Sequence, residues 1–588
     1  MRLRVRLDAL RVREFVNLID ALEILKQPLP EDASHFRGAL ACGFTPIHLQ
    51  AFLRAHLRKR LPGKQVDLDI GLFGDLKGNI ERLQKLPSDA LFLAMEWQDV
   101  DSRLGIRTLG GWRTTDLVDI VESASEAIDV LKGSLARASS FRPVYISTPT
   151  LPLPPLFTVS PQQASSFELQ LRQLIASFAS SIAEEPGIRV LSPQLLDELS
   201  PLRDRFDVRS EVQTGFPYKL PHASSLAELF AALIQQSAPR KGLITDLDDT
   251  LWAGILGEVG PEGISWGLEK HAHLHGIYQQ FLESLASAGV LVAVASKNEM
   301  QLVNRAFERP DLRISKDNLY PFEVHWSRKS ESVRRILQVW NISADAVVFL
   351  DDSPMEVAEV KQAFPEMECR VFPKDDYEAF WTLMKQLRQD FGKSTVNDED
   401  LIRAKSIRDA EPLRSVATSS RSLSDFLQSA SASIRVQFTR DSRDHRAFEL
   451  VNKTNQFNLN GKRLTEAAWS AYFDHPDAFL MTVTYEDKFG PLGKIAALLG
   501  KPDGRRVQID FWVMSCRAFS RRVEHQTLRQ IFAKFEADEI RFDYQPTPRN
   551  GPLQEFFADV LGASQQPGCS LSLSNFSDKT LELFEHVE

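Results

Sequence analysis

The stretch GLITDLDDT, residues 242–250, places a short apolar run directly before three carboxylates. Such a run, bounded by polar residues, indicates a buried strand. Asp246 and Asp248 follow it two positions apart, so both side chains can point to one side as the strand ends. Reactive groups of a doubly wound parallel sheet lie beyond the carboxyl ends of its strands. The stretch therefore predicts a carboxylate site at the edge of such a sheet.

Two later segments repeat this arrangement of an apolar strand followed by polar residues. VLVAVAS ends at Ser296 and is followed by Lys297 and Asn298, whereas AVVFLDD ends at Asp351 and Asp352. Between them, Lys329 stands at the start of the helical pattern KSESVRRIL. Parallel strands bring these side chains to one edge of the sheet.

The residue types fit phosphoryl transfer. A carboxylate can attack phosphorus and form an aspartyl-phosphate, and a second carboxylate two residues later can protonate the leaving oxygen and then activate water. Carboxylates repel a phosphoryl group unless a divalent cation lies between them, and a carboxylate-rich ligand set suits Mg²⁺. A lysine and a hydroxyl stabilise the remaining phosphoryl oxygens.

In order and spacing, these segments resemble the four motifs of the haloacid dehalogenase (HAD) superfamily. The resemblance implies that Asp246 is the nucleophile and Asp248 the acid/base. It implies that Thr250 supports the loop and that the phosphate group is held by Thr250, Ser296, Lys297, Asn298 and Lys329. Mg²⁺ would be held by Asp246, the Asp248 carbonyl, and Asp351 or Asp352, a choice that the sequence leaves open. About 40 residues separate the first two motifs, too few for a large cap domain.

Further segments, spread over nearly the whole chain, resemble the FkbH-like subfamily. They are DLDDTLWAGILGEVG, SKNE, WSRKSESVRRI, FLDDSPMEVAEV, NKTNQFNLNGKR, EDKFGPLG, VMSCRAFSRRVE and YQPTPRNGPLQEFF. The resemblance implies a glyceryltransferase/phosphatase that takes a glyceryl unit from 1,3-bisphosphoglycerate, removes phosphate and loads the unit on an acyl carrier protein. The implied setting is polyketide or related biosynthesis. A plain HAD phosphatase acting on a small phosphorylated acid or sugar is the alternative, and a non-catalytic interaction protein is a third possibility that the intact aspartate motifs disfavour.

The last part of the chain resembles the GNAT acyltransferase fold. Such folds hold a pyrophosphate over a Gly-rich turn at a helix N-terminus, but positions 520 and 522 are Ser and Arg here. Arg517, Arg521 and Arg522 could instead meet an acidic carrier protein or its phosphopantetheine. Cys516 precedes this basic turn and is predicted either to carry the acyl group as a thiolate or to be a buried structural cysteine.

Two further sets of residues have both a functional and a structural interpretation. Asn455, Gln456 and Phe457 could line an acyl site, since amides suit hydroxyl recognition, or could form a helix cap and turn. His525 could act as an acid/base partner, or could be a packing residue.

The first part of the chain has the strand–helix rhythm of an SGNH hydrolase, and His222 lies where such a domain ends. The expected early serine turn reads Cys42-Gly43-Phe44-Thr45, and the position three before His222 is Lys219, so a working triad is not predicted. Thr45 or Cys42 is a disfavoured candidate to replace the missing serine nucleophile. Candidate remnants of the hydrolase pocket are Phe73, Gly74, Asp75 and Asn79.

These patterns predict an α/β protein of three domains. Residues 1–236 form a degenerate SGNH hydrolase-like domain with a flavodoxin-like parallel sheet, and residues 237–390 form a HAD domain with a doubly wound sheet and a minimal cap. Residues 391–430 form a linker, and residues 431–588 form an α+β GNAT-like domain.

Composition narrows the class of protein further. The chain has 588 residues with 70 Lys and Arg against 79 Asp and Glu, a net charge of −9 that disfavours non-specific nucleic-acid binding. Its four cysteines contain no CxxC pair and suggest neither a zinc site nor a secreted disulfide framework. With no long apolar run, we expect a cytoplasmic enzyme without a membrane span, whose partners are a small phosphorylated substrate and an acyl carrier protein.

Overall fold

A computed structural model describes the chain from residue 17 onward. Its gaps are residues 31–32, 110–111, 156–158, 235–238, 394–406, 409–432, 455, 488–489, 516–517, 519–521, 548, 563–567, 578–585 and 588. The described residues fall into two compact units, one within residues 1–237 and 465–470 and the other within residues 238–464 and 471–588. The three-domain division remains a prediction, since the second unit contains two of the three sheets.

The first unit contains a five-stranded sheet in the order β2-β1-β3-β4-β5, with every neighbouring pair parallel. Its strands are β1 Ser34–Ala41, β2 Lys64–Ile70, β3 Ala90–Ala94, β4 Val144–Ser147 and β5 Ile188–Val190. Its helices are α1 Leu18–Lys26, α2 Ile47–Arg60, α3 Leu76–Leu83, α4 Trp97–Val100, α5 Leu117–Ser139, α6 Ser166–Ala183, α7 Pro193–Leu199, α8 Val208–Thr214 and α9 Leu220–Ile234. This strand order is the flavodoxin-like one. Two apolar clusters, one on each face, bury the central strands.

The second sheet is also fully parallel and has the order β10-β9-β6-β7-β8. Its strands are β6 Gly242–Thr245, β7 Leu291–Ser296, β8 Phe322–Val324, β9 Val347–Asp351 and β10 Glu368–Val371. Its helices are α10 Leu256–Gly263, α11 His273–Ser287, α12 Met300–Phe307, α13 Lys329–Trp340, α14 Pro354–Ala363 and α15 Tyr377–Phe391. The order reverses between β6 and β9, and a doubly wound sheet opens a crevice at such a switch point.

The third sheet has seven strands in the order β16-β15-β14-β13-β12-β11-β17. Its strands are β11 Ser433–Thr439, β12 Phe479–Asp487, β13 Gly490–Asp503, β14 Arg506–Met514, β15 Glu539–Phe542, β16 Ser570–Ser572 and β17 His586–Val587. Its helices are α16 His445–Lys453, α17 Glu466–Tyr472, α18 Val523–Phe535, α19 Gly551–Leu561 and α20 Leu573–Ser577. The strands β11 to β14 are antiparallel, whereas β14 and β15 are parallel.

The predicted fold class is confirmed, since two parallel sheets are followed by one mixed sheet. Among the described residues, no helix has the length and apolar character that crossing a membrane requires. The strands that the sequence pattern missed are β8, β10, β11, β16 and β17, of which β8 and β10 have only three or four residues.

Candidate active site

The switch point between β6 and β9 carries a cluster of three carboxylates. Asp246 follows β6, Asp351 ends β9 and Asp352 comes next, and one oxygen from each lies within 4.8 Å of the others. Asp351 is fully buried and Asp246 is 8% exposed. Buried anions this close repel one another, so a cation between them is the natural complement. Three carboxylate oxygen ligands fit Mg²⁺.

Lys329 supplies a positive charge beside these carboxylates. Its Nζ lies 2.7 Å from Asp246 Oδ1 and 2.7 Å from Asp351 Oδ2, and the side chain is 3% exposed. Burial lowers the pKa of a lysine, but the two carboxylates outweigh it here and raise the pKa of Lys329. Burial and the neighbouring Asp246 charge raise the pKa of Asp351. Lys329 therefore stays protonated and can neutralise charge on a phosphoryl group.

Asp248 is held in a fixed orientation by neutral donors. Its Oδ1 accepts hydrogen bonds from Trp252 Nε1 at 3.0 Å and from the Leu256 amide at 3.2 Å, and its Oδ2 accepts one from Asn298 Nδ2 at 3.0 Å. Burial raises the pKa of Asp248 to about 6. A carboxyl that exchanges its proton near neutral pH suits general acid/base catalysis.

The loop after β6 is locked by a lysine that the sequence pattern did not reveal. Asp249 adopts a left-handed conformation with φ of 50°, which Asp tolerates better than most residues. Lys374 Nζ lies 2.6 Å from Asp249 Oδ2 and 2.9 Å from Asp352 Oδ2, and so joins this loop to the loop after β9. Lys374 comes three residues after β10, whose sequence ECRV shows no continuous apolar run. The signal in the sequence that could have revealed Lys374 is its position shortly after a strand, at the edge of the sheet where the carboxylates lie.

The remaining residues predicted in this site lie at the same edge of the sheet. Ser296 is buried at the end of β7, and the Thr250 hydroxyl accepts a hydrogen bond from the Asp352 amide at 3.0 Å. Lys297 pairs with Glu356 at 2.7 Å. This hydrogen bond joins the loop after β6 to the loop after β9, while phosphate binding by Thr250, Ser296, Lys297, Asn298 and Lys329 stays a prediction.

The third sheet places the TNQFN segment beside the end of β14. β15 pairs with β14 only over Arg506–Ile509. Beyond that point the Leu459 amide donates to the Trp512 carbonyl at 2.9 Å, and the Met514 amide donates to the Phe457 carbonyl at 3.0 Å. Phe457 is 1% exposed and its ring centroid lies 5.2 Å from that of Trp512. The structure therefore gives Phe457 a place in the core, and its contact with an acyl group remains a prediction.

Several of the residues predicted for acyl transfer lie outside the described part of the chain, namely Asn455, Cys516, Arg517 and Arg521. Arg522 is described and has φ of 53°, a left-handed conformation that favours glycine. His525 Nε2 lies 3.9 Å from Asp559 Oδ2, and its ring meets Phe556 edge-on at 5.2 Å. Gln456 lines a cleft together with Ser515, which directly precedes Cys516.

The first unit gives the candidate hydrolase residues other contacts. Cys42 is buried, which raises the pKa of its thiol, and the Thr45 hydroxyl donates to the Thr214 carbonyl at 2.7 Å. His222 is buried, and its ring nitrogens lie 3.0 Å from the hydroxyls of Thr150 and Ser200.

The candidate pocket remnants have structural roles or lie at the surface. Asn79 donates to the carbonyls of Cys42 and Leu72 at 2.9 and 2.7 Å, and Asp75 caps α3. Gly74 has φ of 73°, a turn conformation that favours glycine, and Phe73 is 51% exposed. The interpretation of this part of the chain as a degenerate hydrolase-like domain stays a prediction.

No family model and no curated protein matches the chain. A solved structure of the N-terminal part of a Bacteroides fragilis protein, containing a phosphatase domain complexed with Mg, is 19% identical. The matched region covers 64% of this chain and 99% of the chain of that structure, with a TM-score of 0.48. A salicylyl-acyltransferase from a tetracycline biosynthetic pathway is 11% identical over 34% of this chain and 53% of its own, with a TM-score of 0.21. Neither likeness is close enough to carry a functional conclusion.

Proposed function

We propose that the protein is a Mg²⁺-dependent enzyme of the FkbH-like type. It removes the ester phosphate of 1,3-bisphosphoglycerate by hydrolysis, and it transfers the glyceryl group from the acyl phosphate to the thiol of an acyl carrier protein, with release of the second phosphate. The observation that carries the phosphatase half is the meeting of Asp246, Asp351, Asp352 and Lys329 at the switch point of a parallel sheet. The transfer half rests on the sequence resemblance.

In the phosphatase half, a carboxylate oxygen of Asp246 attacks phosphorus. The Asp246–phosphorus bond forms as the bond to the leaving oxygen breaks, and Asp248 donates its proton to that oxygen. Asp248 then takes a proton from water, which attacks the aspartyl-phosphate, releases phosphate and restores Asp246. Mg²⁺ held by Asp246, the Asp248 carbonyl, and Asp351 or Asp352 would offset the charge of the phosphoryl oxygens. Lys329 stabilises that charge from the protein side.

In the transfer half, a thiolate attacks the acyl carbon of the acyl phosphate. The carbon–sulfur bond forms, the carbon–oxygen bond to phosphate breaks, and inorganic phosphate leaves. Cys516 is the proposed first thiol, and the carrier thiol then displaces it in a thioester exchange that needs no oxidant or reductant. The Arg-rich turn after Cys516 favours the thiolate.

A plain Mg²⁺ phosphatase is the second candidate, and two observations favour it. The turn after β14 has Ser520 and Arg522 where a pyrophosphate-binding turn has glycines. In addition, β14 pairs with β15 only as far as Ile509, and beyond that point its backbone groups form hydrogen bonds with Phe457 and Leu459. An extended ligand therefore cannot pair with β14 there as an added strand.

The decisive experiment gives the protein Mg²⁺, 1,3-bisphosphoglycerate and a phosphopantetheinylated carrier protein, and measures the intact mass of the carrier and the phosphate released. The proposal expects a glyceryl-sized mass gain on the carrier. With Asp246→Asn, any gain should retain the mass of the ester phosphate. Phosphate release without a gain, across a panel of carriers, would leave the plain phosphatase. Absence of phosphate release would contradict both candidates.

A further inference from the structure

Helix α11 carries three buried polar side chains that the phosphoryl-transfer steps do not use. They are His275, Tyr278 and Gln279, with exposures of 3%, 0% and 0%. Each is hydrogen-bonded to the end of β6 or to the loop after it. We propose that Tyr278 is a positioning residue for Asp246, to which it is joined through the Thr245 hydroxyl. This role rests on the proposed function, in which Asp246 is the nucleophile.

A hydrogen-bond chain with a fixed direction joins Tyr278 to the main chain of Asp246. The Thr245 hydroxyl lies 2.8 Å from the Asp246 carbonyl, which can only accept, so Thr245 donates its one proton there. The Tyr278 hydroxyl lies 3.1 Å from Thr245 Oγ1 and is therefore the donor of the second bond. Burial raises the pKa of Tyr278, so its hydroxyl keeps this proton at neutral pH. Tyr278 thus fixes the direction in which the Thr245 hydroxyl points.

The chain lies where water cannot take the place of a lost partner. Thr245 and Tyr278 are both fully buried, and the Tyr278 ring packs against Phe372 with ring centroids 5.0 Å apart. A buried hydroxyl that loses its donor is left unsatisfied, because no solvent reaches it. The protein itself therefore sets the orientation of the Asp246 carbonyl.

The main chain of Asp246 is held on both sides of its Cα atom. Its amide donates to the Leu350 carbonyl at 3.0 Å, and its carbonyl accepts from Thr245. With both peptide groups fixed, the carboxylate can vary only through its own side-chain torsions, and it lies 2.7 Å from the Lys329 ammonium group. Misplacement of a reacting group by about 1 Å can cost about 100-fold in rate. A hydrogen bond that fixes the Asp246 carbonyl therefore bears on the chemistry.

The two other polar residues of this helix face hold the rest of the loop. His275 Nδ1 lies 2.9 Å from the Thr250 carbonyl, and Gln279 Nε2 donates to the Leu251 carbonyl at 2.8 Å. Of the three contacts, only that of Tyr278 leads to the nucleophile itself. A change at Tyr278 therefore alters the support of the nucleophile while the other two contacts keep the loop in place.

The test measures kcat and KM for phosphate release from p-nitrophenyl phosphate with Mg²⁺, using the full chain. Tyr278→Phe removes only the hydroxyl and should lower kcat about tenfold with KM within about twofold, because the nucleophile is misplaced while the phosphate site stays intact. Thr245→Val should lower kcat at least as much. The double variant should be no slower than Thr245→Val alone, because Tyr278 acts through Thr245. Thr245→Ser keeps the hydroxyl and should retain most of the kcat.

Tyr218→Phe in the first unit is the matched control, since Tyr218 is also a buried tyrosine and its hydroxyl donates to Glu96 at 2.7 Å. It should lower the thermal midpoint but leave kcat unchanged. Three results would overturn the role of Tyr278: an unchanged kcat in Tyr278→Phe, additive losses in the double variant, or an equal fall of kcat in Tyr218→Phe. In each of these the wild type is active, so the proposed function stands. A wild type that releases no phosphate would contradict the proposed function, and the role of Tyr278 with it.

Discussion

The ammonium group of Lys329 lies 2.7 Å from Asp246 Oδ1, although Asp246 follows strand β6 and Lys329 begins helix α13. The same group lies 2.7 Å from Asp351. One buried cation thus holds together the proposed nucleophile after β6 and a metal-ligand candidate at the end of β9. This contact links the stability of the site to its chemistry.

Lys329→Met should lower the rate of phosphate release by about 10²- to 10³-fold, because one charge-stabilising donor is lost. It should also destabilise the metal-free protein by about 3–5 kcal/mol, since two buried carboxylates lose their partner. Thermal unfolding with EDTA and with Mg²⁺ measures the second effect, which Mg²⁺ should reduce. The double variant Asp246→Asn/Lys329→Met should regain stability but not activity. Equal destabilisation with and without Mg²⁺ would contradict this account.

Lys374→Met should weaken the binding of Mg²⁺ and raise its half-saturating concentration about tenfold, the low end for loss of a residue that orients a metal ligand. The reason is that Lys374 joins Asp249 and Asp352. A Mg²⁺ titration of phosphate release measures the effect. Lys374→Arg should restore much of it, and Lys361→Met on α14 is the matched control. An unchanged Mg²⁺ requirement would show that Asp352 needs no such support.

Cys516→Ala should abolish loading of the carrier protein but leave phosphate release from p-nitrophenyl phosphate largely unchanged, because the phosphoryl transfer proposed at Asp246 does not use this thiol. Intact-mass measurement of enzyme and carrier checks it. Cys569→Ala, at a cysteine of intermediate exposure, is the matched control. Loading that survives in Cys516→Ala would mean direct transfer to the carrier thiol.

Glu96 should make the first unit less stable as the pH rises. Burial raises the pKa of Glu96 from 4.5 to about 7. Hydrogen bonds donated by the hydroxyls of Thr150 and Tyr218 act in the opposite direction, but burial has the larger effect. Between those pH values the folded protein holds a proton that the unfolded chain releases, so stability falls with rising pH, by about 3 kcal/mol at most.

Glu96→Gln should remove this part of the pH dependence, although it lowers stability at every pH because the amide group replaces an acceptor. Hydrogen exchange at β3 between pH 4.5 and 8 measures the effect. His56 and His222 respond in the opposite direction, since burial lowers their pKa values to about 4 and about 3. The difference between wild type and variant therefore carries the test, and parallel pH curves for the two proteins would refute it.

Gly43→Ala should destabilise the first unit by about 1–3 kcal/mol or more, the usual range for overpacking. A Cβ at this position would lie 1.6 Å from Asp99 Oδ1, and Asp99 is held between its neighbours. Gly257→Ala is the control, since nothing lies within 4 Å of its added Cβ. Thermal midpoints compare the two, and an unchanged midpoint for Gly43→Ala would show that Asp99 moves freely.

Local pattern was sufficient for the fold class and for the carboxylate cluster. The runs before Asp246, Ser296 and Asp351 are almost entirely apolar because both faces of a parallel sheet are covered, and this property is visible in single segments. The chain order of the motifs then brings these residues to one edge. Their meeting within 4.8 Å agrees with that expectation for Asp246, Asp351 and Asp352.

Other features depend on pairings between distant segments, which no single segment encodes. Lys374 follows a strand of four residues that is half-buried and mixed in composition, so its bridge between Asp249 and Asp352 required the three-dimensional structure. The position of Phe457 also required the three-dimensional structure. Phe457 packs against Trp512 because Trp512 lies in the part of β14 that does not pair with β15. One cleft is lined both by Arg240 and Lys241, which precede β6, and by Arg446 and Lys453 of α16, and only tertiary folding brings these side chains together.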